Sequence, residues 1–201
     1  LYWPDVIKGL VDRYGFMVTP AKIEDLNLQT GVRFGTGKLV HDLGATTIDS
    51  LTVFEQGLVA ESKSRVEELD AFLDDLIEWM NADLDIDFQQ SPSSGQMYTS
   101  VVVVQLGVDP VPWFNQFSEL LSRLNESVRT YLPDFDCPYV PSSLIFHYDE
   151  SLRPTGLRPG YFSIERRRHV PFAEGVYYST APLRTDDHLR LLTAIENIQF
   201  G

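Results

Sequence analysis

The chain has a single cysteine, Cys137, among 201 residues. One thiol cannot close an intramolecular disulfide or build the usual thiolate zinc cluster. Basic residues are also scarce, with 16 Lys and Arg against 29 Asp and Glu and a formal charge of −13. Phosphates and anionic headgroups repel such a chain, so neither nucleic acid nor a membrane is expected as a partner. The longest wholly apolar run, Val101–Val104, is far short of the roughly 20 residues that span a bilayer. Residues Leu1–Gly15 carry Asp5, Lys8, Asp12 and Arg13 and do not read as a signal peptide. These features together predict a soluble, cytoplasmic protein.

Reactive motifs are missing as well. There is no Gly-x-Ser-x-Gly elbow, no phosphate-binding glycine loop and no His-Glu-x-x-His. Gly35-Thr36-Gly37-Lys38 lacks both the leading glycine and the following helix of a phosphate loop. Asp134 and Asp136 lie just before Cys137, and two nearby carboxylates are expected to disfavour its thiolate, the wrong direction for a nucleophile. No cofactor and no metal is expected.

What the chain does hold is enough apolar surface for a core: 43% apolar residues, 12% of the chain aromatic. Helical spacing of Val6, Ile7, Leu10, Val11 and Tyr14 predicts a first helix from Pro4 to Tyr14, stopped by Gly15. A short strand follows at 16–19. Strands are predicted at 32–40, with a bend at Gly35 or Gly37, and at 48–54 and 58–61 around the turn Glu55-Gln56-Gly57. Ser64-Arg65-Val66-Glu67 matches a capping box. It opens a helix whose stripe is Val66, Leu69, Phe72, Leu73, Leu76, Ile77 and Met80.

The second half repeats this vocabulary. A strand at 98–106, apolar on both faces, reads as central in a sheet. A helix over 112–132 points Trp113, Phe117, Leu120, Leu121, Leu124, Val128 and Tyr131 inward. Strands follow at 143–148, 161–168 and 176–180. Thr185 is expected to cap a last helix with Leu189, Leu192, Ile195 and Ile198 on its buried edge. The prediction is an α+β fold, mostly antiparallel sheet covered by three to four amphipathic helices. We read 1–201 as one unit. A division would fall near 91–95, in Ser91-Pro92-Ser93-Ser94-Gly95, separating 1–90 from 96–201.

At an offset of 118 residues, Phe54-Glu55-Gln56-Gly57 aligns with Phe172-Ala173-Glu174-Gly175. Leu73, Ile77 and Glu78 then fall on Leu191, Ile195 and Glu196. Both stretches read as a hairpin followed by a covering helix. Either a duplication or the shared chemistry of hairpin–helix units accounts for the match.

Three groups of residues are candidates for function. His147, Asp149 and Glu150 lie near a strand end, and positions two apart share a face on a regular strand. An imidazole and a carboxylate so placed suit a general base or, with Glu165, His169 or His188 as a third ligand, a metal-dependent hydrolase. Ordinary loop chemistry at a strand end is the competing reading, and for His41-Asp42 it is favoured because adjacent strand residues point apart. Arg166 and Arg168, like Glu165 and Arg167, are also at strand spacing; such pairs suit an anion, but pairing with the protein's own acidic helix at Asp70, Asp74 and Asp75, or solvent, is the favoured reading. That helix is the third group: residues 67–87 contain nine Asp or Glu and no Lys or Arg. Asp70, Asp74, Asp75 and Glu78 on its polar side suit a basic protein partner. The composition therefore favours an acidic, non-enzymatic protein-binding module (a regulatory, immunity or assembly factor) over the hydrolase.

Overall fold

The computed structural model describes residues 2–41, 44–84, 95–107, 117–134, 138–149, 151 and 158–197. Over these described residues it is an α+β fold with four α-helices and two antiparallel sheets. The chain divides into two compact units, Leu1–Gln96 and Met97–Gly201. Among the described residues no helix is long and apolar enough to cross a membrane.

The first unit runs α1 (Trp3–Tyr14), β1 (Val32–His41), β2 (Gly44–Phe54), β3 (Gly57–Glu61) and α2 (Val66–Leu84). Its sheet has the order β1-β2-β3. Pro4 sits in the first turn of α1, where its missing N–H costs nothing, and Gly15 at φ 64° closes the helix by donating its N–H to the Val11 carbonyl. The stretch at 16–19 forms only an isolated bridge, Val18 to Gly35, instead of a full strand.

The bend expected in β1 is real and has a cause. Thr36 adopts φ 53°, and the Gly35 N–H turns to Val18. Gly37 is required here because a Cβ would lie 2.7 Å from the Phe16 ring. Opposite the bend, β2 switches its buried side: Ile48 and Ser50 are buried before it, Leu51 and Val53 after it. Both helices cover this sheet with one core of Val6, Leu10, Tyr14, Phe16, Val32, Phe34, Ile48, Leu51, Val53, Phe72, Leu76 and Met80. Tyr14 meets Phe72 edge-on at 5.0 Å.

The second unit runs β4 (Ser100–Gln105), α3 (Ser118–Tyr131), β5 (Ser143–Phe146), β6 (Phe162–Arg166), β7 (Val176–Ala181) and α4 (Thr185–Glu196), with sheet order β4-β7-β6-β5. Omitting β4, it repeats the α-β-β-β-α order of the first unit. Both hairpin–helix segments are present, as β2-β3-α2 and β6-β7-α4.

Three expectations are corrected in this unit. β4 is an edge strand, not a central one, and Val101 and Val103 are exposed. α3 is amphipathic, yet none of its residues is buried. Arg184, not Thr185, occupies the cap of α4, with Asp186 and Asp187 in the first turn as expected. In the first unit α2 likewise starts later than the capping box implies, at Val66, with the Arg65 carbonyl accepting from Glu68 and Leu69. Residues 85–90, the boundary residues 91–94, Trp113 and Ile198 lie outside the described residues.

Candidate functional site

α2 presents two different sets of carboxylates. Its inward stripe (Phe72, Leu76, Met80) fixes the helix against the sheet, so positions one or two along from these turn sideways or outward. Asp75 turns sideways onto α1. Its two oxygens accept from Arg13 at 2.6 and 3.0 Å, and one also accepts from the Tyr14 hydroxyl at 2.6 Å. The Arg13 guanidinium holds the Asp75 carboxyl below the usual range. Burial, reinforced by the adjacent carboxylate, pushes the Tyr14 phenol up. Asp75 is thus engaged in joining α1 to α2. Close by, Gly9 lets the Trp79 ring approach so nearly that a Cβ would lie 2.3 Å from it.

Asp70 is half-buried, whereas Asp74 and Glu78 are exposed. These last two, with Ile77, Asn81 and Ala82, line a shallow depression of about 550 Å³ on the outer side of α2. Of the four carboxylates predicted to meet a partner, two therefore stand beside an apolar floor. The remaining two lie toward the body of the unit.

The other predicted sites come apart on inspection. β5 ends at Phe146, so His147 and Asp149 follow the strand and do not share a strand face. His147 stacks at a tilt on Tyr161, 5.5 Å between ring centres. Asp149 accepts from both the backbone N–H and the hydroxyl of Ser151, at 2.8 and 2.6 Å, which lowers its pKa. This is a turn-forming carboxylate. Glu150, Asp42, Cys137 and the side chain of His41 lie outside the described residues. Among the described residues no three His, Cys, Asp or Glu side chains group as metal ligands.

Arg166 is the last residue of β6 and lies over the Tyr177 ring at 5.3 Å. Arg168 falls in the turn beyond, before His169 at φ 64°. The two arginines therefore do not form the strand-spaced pair that the sequence suggested. Glu165 and Arg167 are both exposed.

One polar cluster escaped sequence reasoning. His188, on the first turns of α4, is fully buried. Its Nδ1 lies 2.7 Å from the Ser100 hydroxyl of β4 and its Nε2 2.8 Å from the Ser179 hydroxyl of β7. Ser179 donates to the Ser163 carbonyl at 2.8 Å. Its oxygen is then the acceptor for His188, which requires the Nε2–H tautomer, and the bare Nδ1 accepts from Ser100. Burial lowers the His188 pKa. A serine against an imidazole is the geometry of an activated nucleophile. Here, however, Ser100, Ser179 and His188 are all buried, so no substrate reaches them. The cluster satisfies its own polar groups and pins α4 to the sheet. The available signal was the spacing of His188 and Leu192, one helical turn apart on the buried side.

Comparison with known proteins gives no relative: no family model, no curated protein and no solved structure matches the chain.

Proposed function

We propose that the protein is a non-enzymatic, acidic interaction module, a regulatory, immunity or assembly factor that binds a basic protein partner. The observation that carries this reading is the outer side of α2. There Asp74 and Glu78 flank Ile77 along an open depression, on a helix with no Lys or Arg from 66 to 84. Carboxylates at the rim steer a cationic partner, and an apolar floor gives it something to bury. The chain's charge of −13 extends that attraction to about a Debye length, some 10 Å at 0.1 M salt. The same charge disfavours nucleic acid as the partner.

The reading is tested by affinity capture from native extract with the wild-type protein and an Asp74→Lys/Glu78→Lys variant. A basic protein held stoichiometrically by the wild type, released by salt and absent from the variant, is the expected result. Identical proteins on both baits contradict it. The hydrolase reading has its own test. A melting temperature raised by a divalent metal, with the rise abolished in His147→Ala, would restore it.

A further inference from the structure

The imidazole that pins α4 sits where a second proton has nowhere to be satisfied. Ser100 donates to the bare Nδ1 at 2.7 Å, and the Nε2–H donates to Ser179 at 2.8 Å. A proton added at Nδ1 turns that acceptor into a donor. The Ser100 hydroxyl must then rotate, and its own hydrogen loses the lone pair it bonded. The charged ring would face two hydroxyl oxygens, which are dipoles without net charge.

Among the described residues, no carboxylate stands on the sheet face under α4. Strand register places Val102, Ile164 and Leu144 in the row of Ser179, and Val104 and Arg166 in the row of Tyr177. The titratable or charged groups of that face are therefore Tyr177 on β7 and Arg166 on β6, with none from β4 or β5. Phe162 meets the ring edge-on at 6.2 Å. On α4 itself, the positions one turn from His188 are Arg184, Thr185, Leu191 and Leu192. They supply a cation, Arg184, which bonds the Tyr98 hydroxyl just before β4 at 3.0 Å. Asp186 and Asp187 adjoin His188 in sequence and so point elsewhere, and Asp187 bonds Arg190. Glu196, two turns on, accepts from the Gly107 N–H at 2.7 Å. His188 is also the fourth residue of α4, near the positive end of the helix dipole.

The second unit has little apolar reserve against such a charge. Its buried cluster is Leu106, Ile164, Tyr177 and Leu192, against twelve residues in the first unit. We propose that α4 is an acid-released latch: protonation of His188 frees it from the sheet in mildly acidic solution, opening the second unit while the first stays folded. Release uncovers Ile164 and Leu192, so acid adds apolar surface to the second unit. Burial holds the His188 pKa below its ordinary 6.5, so the open unit takes up the proton more readily than the closed one and acid favours opening. The open population grows by up to about tenfold per pH unit below 6.5, until the folded value is passed. In the first unit Asp75, which joins α1 to α2, keeps its charge below pH 3.8 and so outlasts the latch. The inference is independent of the reading of α2.

The test is amide hydrogen exchange of the full chain at pH 7 and pH 5, corrected for the intrinsic pH dependence of exchange. Residues 185–196 and 176–181 should lose protection at pH 5, while 3–14 and 66–84 keep theirs. His188→Gln, whose amide can accept from Ser100 and donate to Ser179, should abolish the difference between the two pH values. Unchanged protection of α4 in wild type overturns the proposal. So does a loss shared equally by both units, or the same loss in a folded His188→Gln. Nitrogen-15 spectra of the wild-type ring give a readout that needs no variant. His188 should leave its neutral Nε2–H form in step with the loss of α4 protection, and a ring still neutral when that protection is gone contradicts the mechanism.

Discussion

Replacing Ser179 with alanine is expected to destabilise the protein by about 2–4 kcal/mol. The hydroxyl makes two buried hydrogen bonds of 2.8 Å, accepting from His188 Nε2–H and donating to the Ser163 carbonyl. Without it the ring N–H is left buried and unpaired, a loss of about 1–3 kcal/mol. The carbonyl bond contributes about 1 kcal/mol more. No water is at hand to compensate, because His188 is 0% exposed. For a chain of this length each kcal/mol lowers Tm by about 2–4 °C, so the variant should melt roughly 5–15 °C below wild type. Urea denaturation followed by circular dichroism measures the free energy directly. Nitrogen-15 spectra of the wild-type imidazole supply an independent check, with Nε2 protonated and Nδ1 bare. A destabilisation under about 0.5 kcal/mol, the size of a neutral surface change, would refute the sealed-network argument. So would an Nδ1–H tautomer.

Three further outcomes follow from the same structure. The buried His188 has a folded-state pKa below its ordinary 6.5, so its contribution is complete above about pH 6.5 and lost as the pH falls from there toward the lower folded value. Urea midpoints should therefore decline between pH 7 and pH 5 in wild type and less so in His188→Gln. Asp75→Asn weakens the bond to Arg13, and because Asp75 is partly exposed its cost is held to about 1 kcal/mol. In wild type the Asp75 share is present above its unfolded pKa of 3.8 and vanishes as the pH falls through the lower folded value, a loss the Asn variant should not show in acid titration. Gly37→Ala forces a methyl against Phe16 and should cost about 1–3 kcal/mol, whereas Gly57→Ala meets open space and should be near neutral. Equal melting temperatures for these two glycine variants would contradict the packing described at the β1 bend.

Periodicity made the architecture readable because it reports burial. Val6, Leu10 and Tyr14 on α1, and Phe72, Leu76 and Met80 on α2, are buried as their spacing requires. The same logic misled at β4 and α3. A run of four valines reads as a strand covered on both sides, yet β4 lies at the sheet edge with alternate valines open. Leu120, Leu124 and Tyr131 have the pattern of a buried stripe and remain in solvent. Pattern says that a surface is apolar, not what will cover it. Sites were less legible, because hydrogen bonds between distant segments leave no local trace. Nothing near Asp75 in sequence announces Arg13, 62 positions away. Ser100 and His188 are separated by 88. His147 and Asp149 looked paired only while the strand was assumed to continue past Phe146.

The most direct test of the interaction reading is hydrogen exchange of the protein alone and with its captured partner bound. Slowed exchange should concentrate in residues 66–84 on α2, with Asp74→Lys/Glu78→Lys abolishing it. Protection confined to residues 143–149 and 158–166 around His147, with α2 unchanged, would contradict the assignment of α2 as the binding face.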